Sequence, residues 1–121
     1  MGTLHGPERI YHDNGIIASE RNYKRGIIHG EAHTYHENGS RESICNYVDG
    51  KVDGIKKYYH PNGSLRETIT YQHDKKHGRC LTYYPNKKIK TSTRYVHGTQ
   101  KGPTIIYNEN GVLNSLLIYF P

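Results

Sequence analysis

The feature that most constrains this chain is a repeat of 24 residues. Gly6, Gly30, Gly54, Gly78 and Gly102 are spaced 24 apart, as are Asn14, Asn38, Asn62, Asn86 and Asn110. Gly15, Gly39, Gly63 and Gly111 follow four of those asparagines, and Lys87 follows Asn86. A third column runs Gly2, Gly26, Gly50, Asp74, Gly98. The three columns take all 13 glycines, so none is left for a phosphate-binding loop. Tyrosine follows at half the period. Tyr11, Tyr35, Tyr59, Tyr83 and Tyr107 form one column, and Tyr23, Tyr47, Tyr71, Tyr95 and Tyr119 another; only Tyr58 and Tyr84 fall outside. A period of this length marks a stack of like units that stabilise one another and do not fold singly.

Each unit reads as a β-hairpin. Asn-Gly between runs of β-formers signals a type I′ turn, whose two central residues both need positive φ. Pro7–His12 and Ile16–Lys24 are the strands around Asp13-Asn14-Gly15, and the Gly26 column carries the turn into the next unit. Helix is disfavoured, because Asn-Gly, Gly and β-branched residues interrupt every window long enough for three turns. The expected fold is therefore all-β: one domain over 1–121, a single-layer antiparallel meander of five hairpin units at 2–25, 26–49, 50–73, 74–97 and 98–121. Its ten or so strands would extend roughly 48 Å. Strand alternation predicts the two tyrosine ladders on opposite faces, an arrangement a bulge would reverse.

The unit His29-Gly30-Glu31, Tyr35, Asn38-Gly39-Ser40, followed by Asn46-Tyr47-Val48-Asp49-Gly50-Lys51, resembles the MORN repeat, and more closely its second variant. The likeness covers nearly the whole chain. It departs at Asp53, Asp74, Lys87 and Lys101, and in lacking an aromatic two residues after the leading glycine. The resemblance implies an elongated, twisted sheet that acts in protein–protein contact. It extends to the bacterial MORN-like antitoxin family and to MORN-repeat proteins of giant viruses. A repeat of this kind identifies an architecture better than a task.

Charge is unevenly placed. The net charge is +6, yet residues 1–53 carry six Lys/Arg against eight Asp/Glu. Residues 54–101 carry eleven Lys/Arg against only Glu67 and Asp74. Such a basic section suits an acidic partner, a polyanion or anionic lipid, or else keeps sheet edges soluble. Lys75, Lys76, Lys87 and Lys88 are expected in turns. The candidate partner-binding residues are Lys56, Lys57, Tyr58, Arg66, Lys75, Lys76, Arg79, Tyr84, Lys87, Lys88, Lys90 and Arg94. Tyr58 and Tyr84 belong to this set because aromatic rings among cations form stacking platforms for single-stranded nucleic acid. The other ten tyrosines are expected to pack on the glycines and on each other.

Nine histidines raise the question of metal. His12, His36 and His60 share a column, but successive units lie roughly 9–10 Å apart, too far for shared ligation at ~2.1 Å. His73 and His77 flank one turn, without a third ligand at a zinc-like spacing. No metal or cofactor is expected. Cys45 and Cys80 fall about three strand spacings apart, ~14 Å, beyond the roughly 7 Å a disulfide allows. Free thiols and the lack of a leading signal peptide predict an intracellular, cytoplasmic setting, or a host cell's interior if the source is viral. No apolar run approaches the roughly 18 residues of a spanning helix. No nucleophile elbow, His-Glu-x-x-His or Gly-x-Gly-x-x-Gly is present, and catalytic residues are not expected. The reading is a non-enzymatic protein-interaction scaffold. Alternatives are an antitoxin or immunity protein, a nucleic-acid or nucleotide binder, and an anionic-lipid binder using 54–101. The apolar segment Leu116–Phe120 is expected to favour self-association as a terminal strand.

Overall fold

A computed structural model of the 121-residue chain describes residues 5–117. Helix is absent among them, and the strands form one antiparallel sheet. They are β1 (Gly6–Tyr11), β2 (Ile17–Lys24), β3 (Ile27–Ile28), β4 (Gly30–Tyr35), β5 (Arg41–Val48), β6 (Lys51–Val52) and β7 (Gly54–Tyr59). There follow β8 (Leu65–Gln72), β9 (Lys75–Tyr83), β10 (Ile89–Val96), β11 (Thr99–Gln100), β12 (Thr104–Tyr107) and β13 (Leu113–Leu117). The ten long strands run β1-β2-β4-β5-β7-β8-β9-β10-β12-β13 in space, and β3, β6 and β11 extend the hairpins of β2, β5 and β10. This is the expected meander. The self-association segment Leu116–Phe120 lies mostly outside the described residues.

The Asn-Gly turn is not of the expected type. At the Asn-Gly end, His12 N–H bonds to the Ile16 carbonyl at 2.7 Å and Gly15 N–H to the His12 carbonyl at 3.0 Å. Three residues, Asp13 to Gly15, thus make the loop, and only Gly15 has positive φ. This is a type I turn closed by a left-handed residue, not the predicted type I′. The type I′ turns sit at the other end: Arg25-Gly26, Asp49-Gly50, His73-Asp74 and His97-Gly98 all have both residues at positive φ. The difference is loop length, three residues at the Asn-Gly end against two at the other. Asn14 Oδ1 accepts the Ile16 N–H at 3.0 Å, a local bond that holds the asparagine in the right-handed region. Lys75 and Lys76 likewise begin β9 instead of lying in a turn.

Register fixes which side chains share a face. Gly6 pairs with Tyr23, Glu8 with Arg21 and Ile10 with Ser19, and directly opposed residues point to the same side. We call this the front. Tyr11 has the opposite parity and faces the back. The bulge between Ile10 and Tyr11 lies in β2, where Tyr11 meets Ile17, so the parity of β1 is untouched. The ladders lie on opposite faces, and the hollows agree. A front hollow of about 230 Å³ is lined by Arg21, Thr34, Cys45, Tyr47 and Lys56; a back hollow of about 280 Å³ is lined by Glu31, Ile44, Ile55, Lys57 and Tyr59.

A single layer leaves little interior. Among the described residues Ala32, Cys45 and Ile69 are the buried apolar side chains, with Ser43 and Ser92 the buried polar ones. Cohesion instead comes from hydrogen bonds repeated between units. On the Asn-Gly edge, Asn14 Nδ2 donates to the Glu37 carbonyl at 2.9 Å, Asn38 to Pro61 at 2.9 Å and Asn86 to Glu109 at 2.8 Å. Beside them His12 Nε2 donates to the Tyr35 carbonyl and His36 Nε2 to the Tyr59 carbonyl, each at 2.8 Å. On the opposite edge, Gly50 N–H bonds to the Ile28 carbonyl at 3.1 Å, Asp74 to Val52 at 3.0 Å and Gly98 to Lys76 at 2.7 Å. Both edges are laced to the neighbouring unit, which gives an open ribbon its stiffness.

Candidate functional site

The twelve candidate residues do not share one surface. Lys56, Tyr58 and Lys76 belong to the front by register: Lys56 pairs with Ile69 and Tyr58 with Glu67, and Lys76 pairs with Tyr71. Lys57, Arg79 and Arg94 take the back: Lys57 pairs with Thr68, and Arg79 with Arg94. Lys75 flanks the His73-Asp74 turn. Lys87 lies in the Asn86 turn and Lys88 closes it, its carbonyl accepting the Tyr84 N–H at 2.8 Å, with Tyr84 and Lys90 on either side. A charge total along the sequence is thus divided among two faces and two edges.

Four of these cations lie over tyrosine rings. Lys56 Nζ is 5.1 Å and the Arg66 guanidinium 5.2 Å from the Tyr58 ring centre, so one ring carries two cations. Lys76 Nζ is 5.0 Å from Tyr95, and Lys90 Nζ 5.7 Å from Tyr84. Such contacts contribute about 0.5–1 kcal/mol each where exposed. They also hold long side chains upright and lower the entropy lost when a partner binds. The front of the third and fourth units therefore presents ordered cations on an aromatic bed. Nearby anions are engaged: Glu67 lies 3.9 Å from Arg66, and Glu8 bonds Arg21 at 2.7 Å.

Lys56 stands at the centre of this surface. Burial alone would lower its pKa, but the phenol of Tyr58 and the groups of Cys45 and Tyr47 outweigh burial and raise it. Tyr47 lies between Lys56 and Arg21, and burial pushes its hydroxyl pKa up. Burial also raises Tyr71, which adjoins Tyr58 and Lys56.

Tyr84 has a different part from Tyr58. It stands 24 residues after His60, in the column of His12 and His36. Its hydroxyl donates to the Tyr107 carbonyl at 2.7 Å, which replaces the histidine bond of earlier units. The column spacing is visible in the sequence, but residue identity alone does not equate a phenol hydroxyl with a ring nitrogen. His77 does not pair with His73; its ring lies 4.8 Å from that of His97, and its Nδ1 accepts the His97 N–H at 3.2 Å. The turn puts residues 20 apart in contact, and no local reading shows that. Among the described residues no three His, Cys, Asp or Glu side chains gather to hold a metal.

A family model described as the MORN repeat variant matches residues 4–25, 28–49, 52–73 and 76–97. The match is to the repeat itself and lends nothing to an antitoxin or giant-virus kinship. Residues 98–117, outside the matched stretches, add β11, β12 and β13 to the same sheet. No curated protein matches the chain. MORN repeats are generally found in proteins that interact with other proteins or with membranes, and the repeat is generally non-catalytic. With its columns, its open antiparallel ribbon and four matched units, the chain belongs to the MORN repeat variant family.

Proposed function

We propose that this chain is a non-enzymatic protein-interaction scaffold that receives an acidic partner on the front of its third and fourth units. The observation that carries the reading is the placement of Lys56, Arg66 and Lys76 over Tyr58 and Tyr95 on an uncovered sheet face. Preordered cations steer an anionic surface toward the sheet, and tyrosine rings supply apolar contact area at low entropy cost. The back face and edges carry the remaining cations as solubilising charge. Free thiols at Cys45 and Cys80 fit a reducing, cytoplasmic location.

The test is affinity capture with mass spectrometry, comparing two charge variants with the unaltered chain. Lys56→Glu with Lys76→Glu reverses the front; Lys75→Glu, Lys87→Glu and Lys88→Glu together reverse the edges. The reading expects the front variant to lose the partner and the edge variant to keep it. Equal recovery by both would overturn it. Capture abolished by nuclease, or flotation with anionic vesicles, would assign the surface to nucleic acid or lipid instead.

A further inference from the structure

The Asn-Gly edge holds chemistry that a binding role does not use. Asn followed by Gly is open to intramolecular attack, since glycine has no Cβ to obstruct it. The backbone nitrogen of the glycine bonds to the asparagine Cγ, Nδ2 leaves as ammonia carrying the displaced amide proton, and a cyclic imide forms. Water then opens the imide at either carbonyl to give aspartate or isoaspartate. The attacking nitrogens are held alike: Gly15, Gly39, Gly63 and Gly111 N–H bond to the carbonyls of His12, His36, His60 and Asn108 at 2.8–3.0 Å. What differs is the hold on the side chain under attack.

Asn14 is held at both ends, with Oδ1 accepting the Ile16 N–H at 3.0 Å and Nδ2 donating to Glu37 at 2.9 Å. Asn38 is held by Ser40 N–H at 2.9 Å, Ser40 Oγ at 2.7 Å and the Pro61 carbonyl at 2.9 Å. Asn62 keeps its two Ser64 bonds, at 3.0 and 2.7 Å, but its Nδ2 has no acceptor among the described residues. At Asn110 the arrangement changes. Asn108 Oδ1 takes over both nearby N–H groups, of Asn110 and Val112, at 3.0 Å each. The exposed Asn110 side chain is left without a hydrogen bond among the described residues. Asn86 is doubly held and precedes Lys87, whose side chain obstructs attack.

We propose that this edge is a graded set of spontaneous deamidation sites. Asn110 reacts first, Asn62 next, Asn14 and Asn38 slowly, and Asn86 last. Each event adds a negative charge along the edge. At Asn110 it falls beside Lys88, whose Nζ lies 3.2 Å from the Asn110 carbonyl. At Asn14 or Asn38 it removes a donor that joins two units.

The full chain, incubated in neutral buffer and mapped by peptide mass spectrometry, tests the order. Conversion at Asn110 is expected at least about tenfold faster than at Asn38, whose hydrogen bonds must break before the ring can close. In denaturant the four Asn-Gly sites should converge while Asn86 stays slow, and Gly111→Lys should silence Asn110 alone. Equal native rates at the four sites, or a native order that persists in denaturant, would overturn the proposal.

Discussion

The His36 ring donates through Nε2 to the Tyr59 main-chain carbonyl across 2.8 Å, joining one unit to the next. The carbonyl needs that donor, since a half-buried oxygen left unpaired costs about 1–3 kcal/mol. His36→Ala is therefore expected to destabilise the chain by about 1–2 kcal/mol. His36→Tyr should be far milder, because Tyr84 in the same column reaches the Tyr107 carbonyl at 2.7 Å with its hydroxyl. Urea unfolding of the two variants decides: no loss in His36→Ala would show that the bond contributes nothing, and equal large losses that a hydroxyl does not replace the ring nitrogen here.

Lys87 is held at φ 74°, where other units have glycine. A side chain in the left-handed region costs about 1–2 kcal/mol, so Lys87→Gly should raise stability by about 1 kcal/mol, partly offset by greater freedom of the unfolded chain. Asp74, at φ 69°, is the contrasting case. Its Oδ1 accepts the Val52 N–H at 2.7 Å, so Asp74→Gly relieves strain but removes a bond between units. It should gain less than Lys87→Gly. Thermal melts of both variants under one buffer give the comparison.

How much of this was legible follows from what each signal depends on. The glycine, asparagine and tyrosine columns are side-chain identities at fixed spacing, and they gave the units, the meander and the opposed ladders. Turn type is not legible in the Asn-Gly pair, because the loops at Asn14-Gly15 and Arg25-Gly26 differ in length, which is a property of register. The work of His36 and Asn38 was hidden for another reason: their partners are the carbonyls of Tyr59 and Pro61, and a backbone acceptor leaves no trace in residue identity. The basic section is a similar case. Lys56 and Lys57 are neighbours in sequence and lie on opposite faces of the sheet.

Cys45 and Cys80 share the front face, but Lys56 and Ile69 stand between them in the row. Three strand spacings, about 14 Å, exceed the roughly 7 Å of a bridge. Mild oxidation of the folded chain should give no intramolecular disulfide, judged by peptide mapping. Cys45 is only 5% exposed and Cys80 more open, so alkylation should reach Cys80 first. Burial raises both thiol pKa values, which lowers the thiolate fraction at neutral pH. Faster labelling of Cys45 than of Cys80 would contradict the burial assigned to it.

Alkali should weaken the front face as a unit. Burial raises the pKa of Cys45 and Cys80 above 9.0 and of Tyr47 and Tyr71 above 10.0. For Lys56 burial acts downward, but Tyr58, Cys45 and Tyr47 prevail and lift it above 10.5. In every case the folded chain binds its proton more tightly than the unfolded one. Stability from such groups is complete below their unfolded pKa values and is lost as pH rises through the folded ones. The chain should thus hold its unfolding midpoint in urea from neutral pH to about 9 and lose stability steadily above it. Replacing Cys45 and Cys80 with Ala should delay the onset toward the tyrosine range. A midpoint indifferent to pH between 8 and 11 would mean that these side chains are as solvated in the fold as in the open chain.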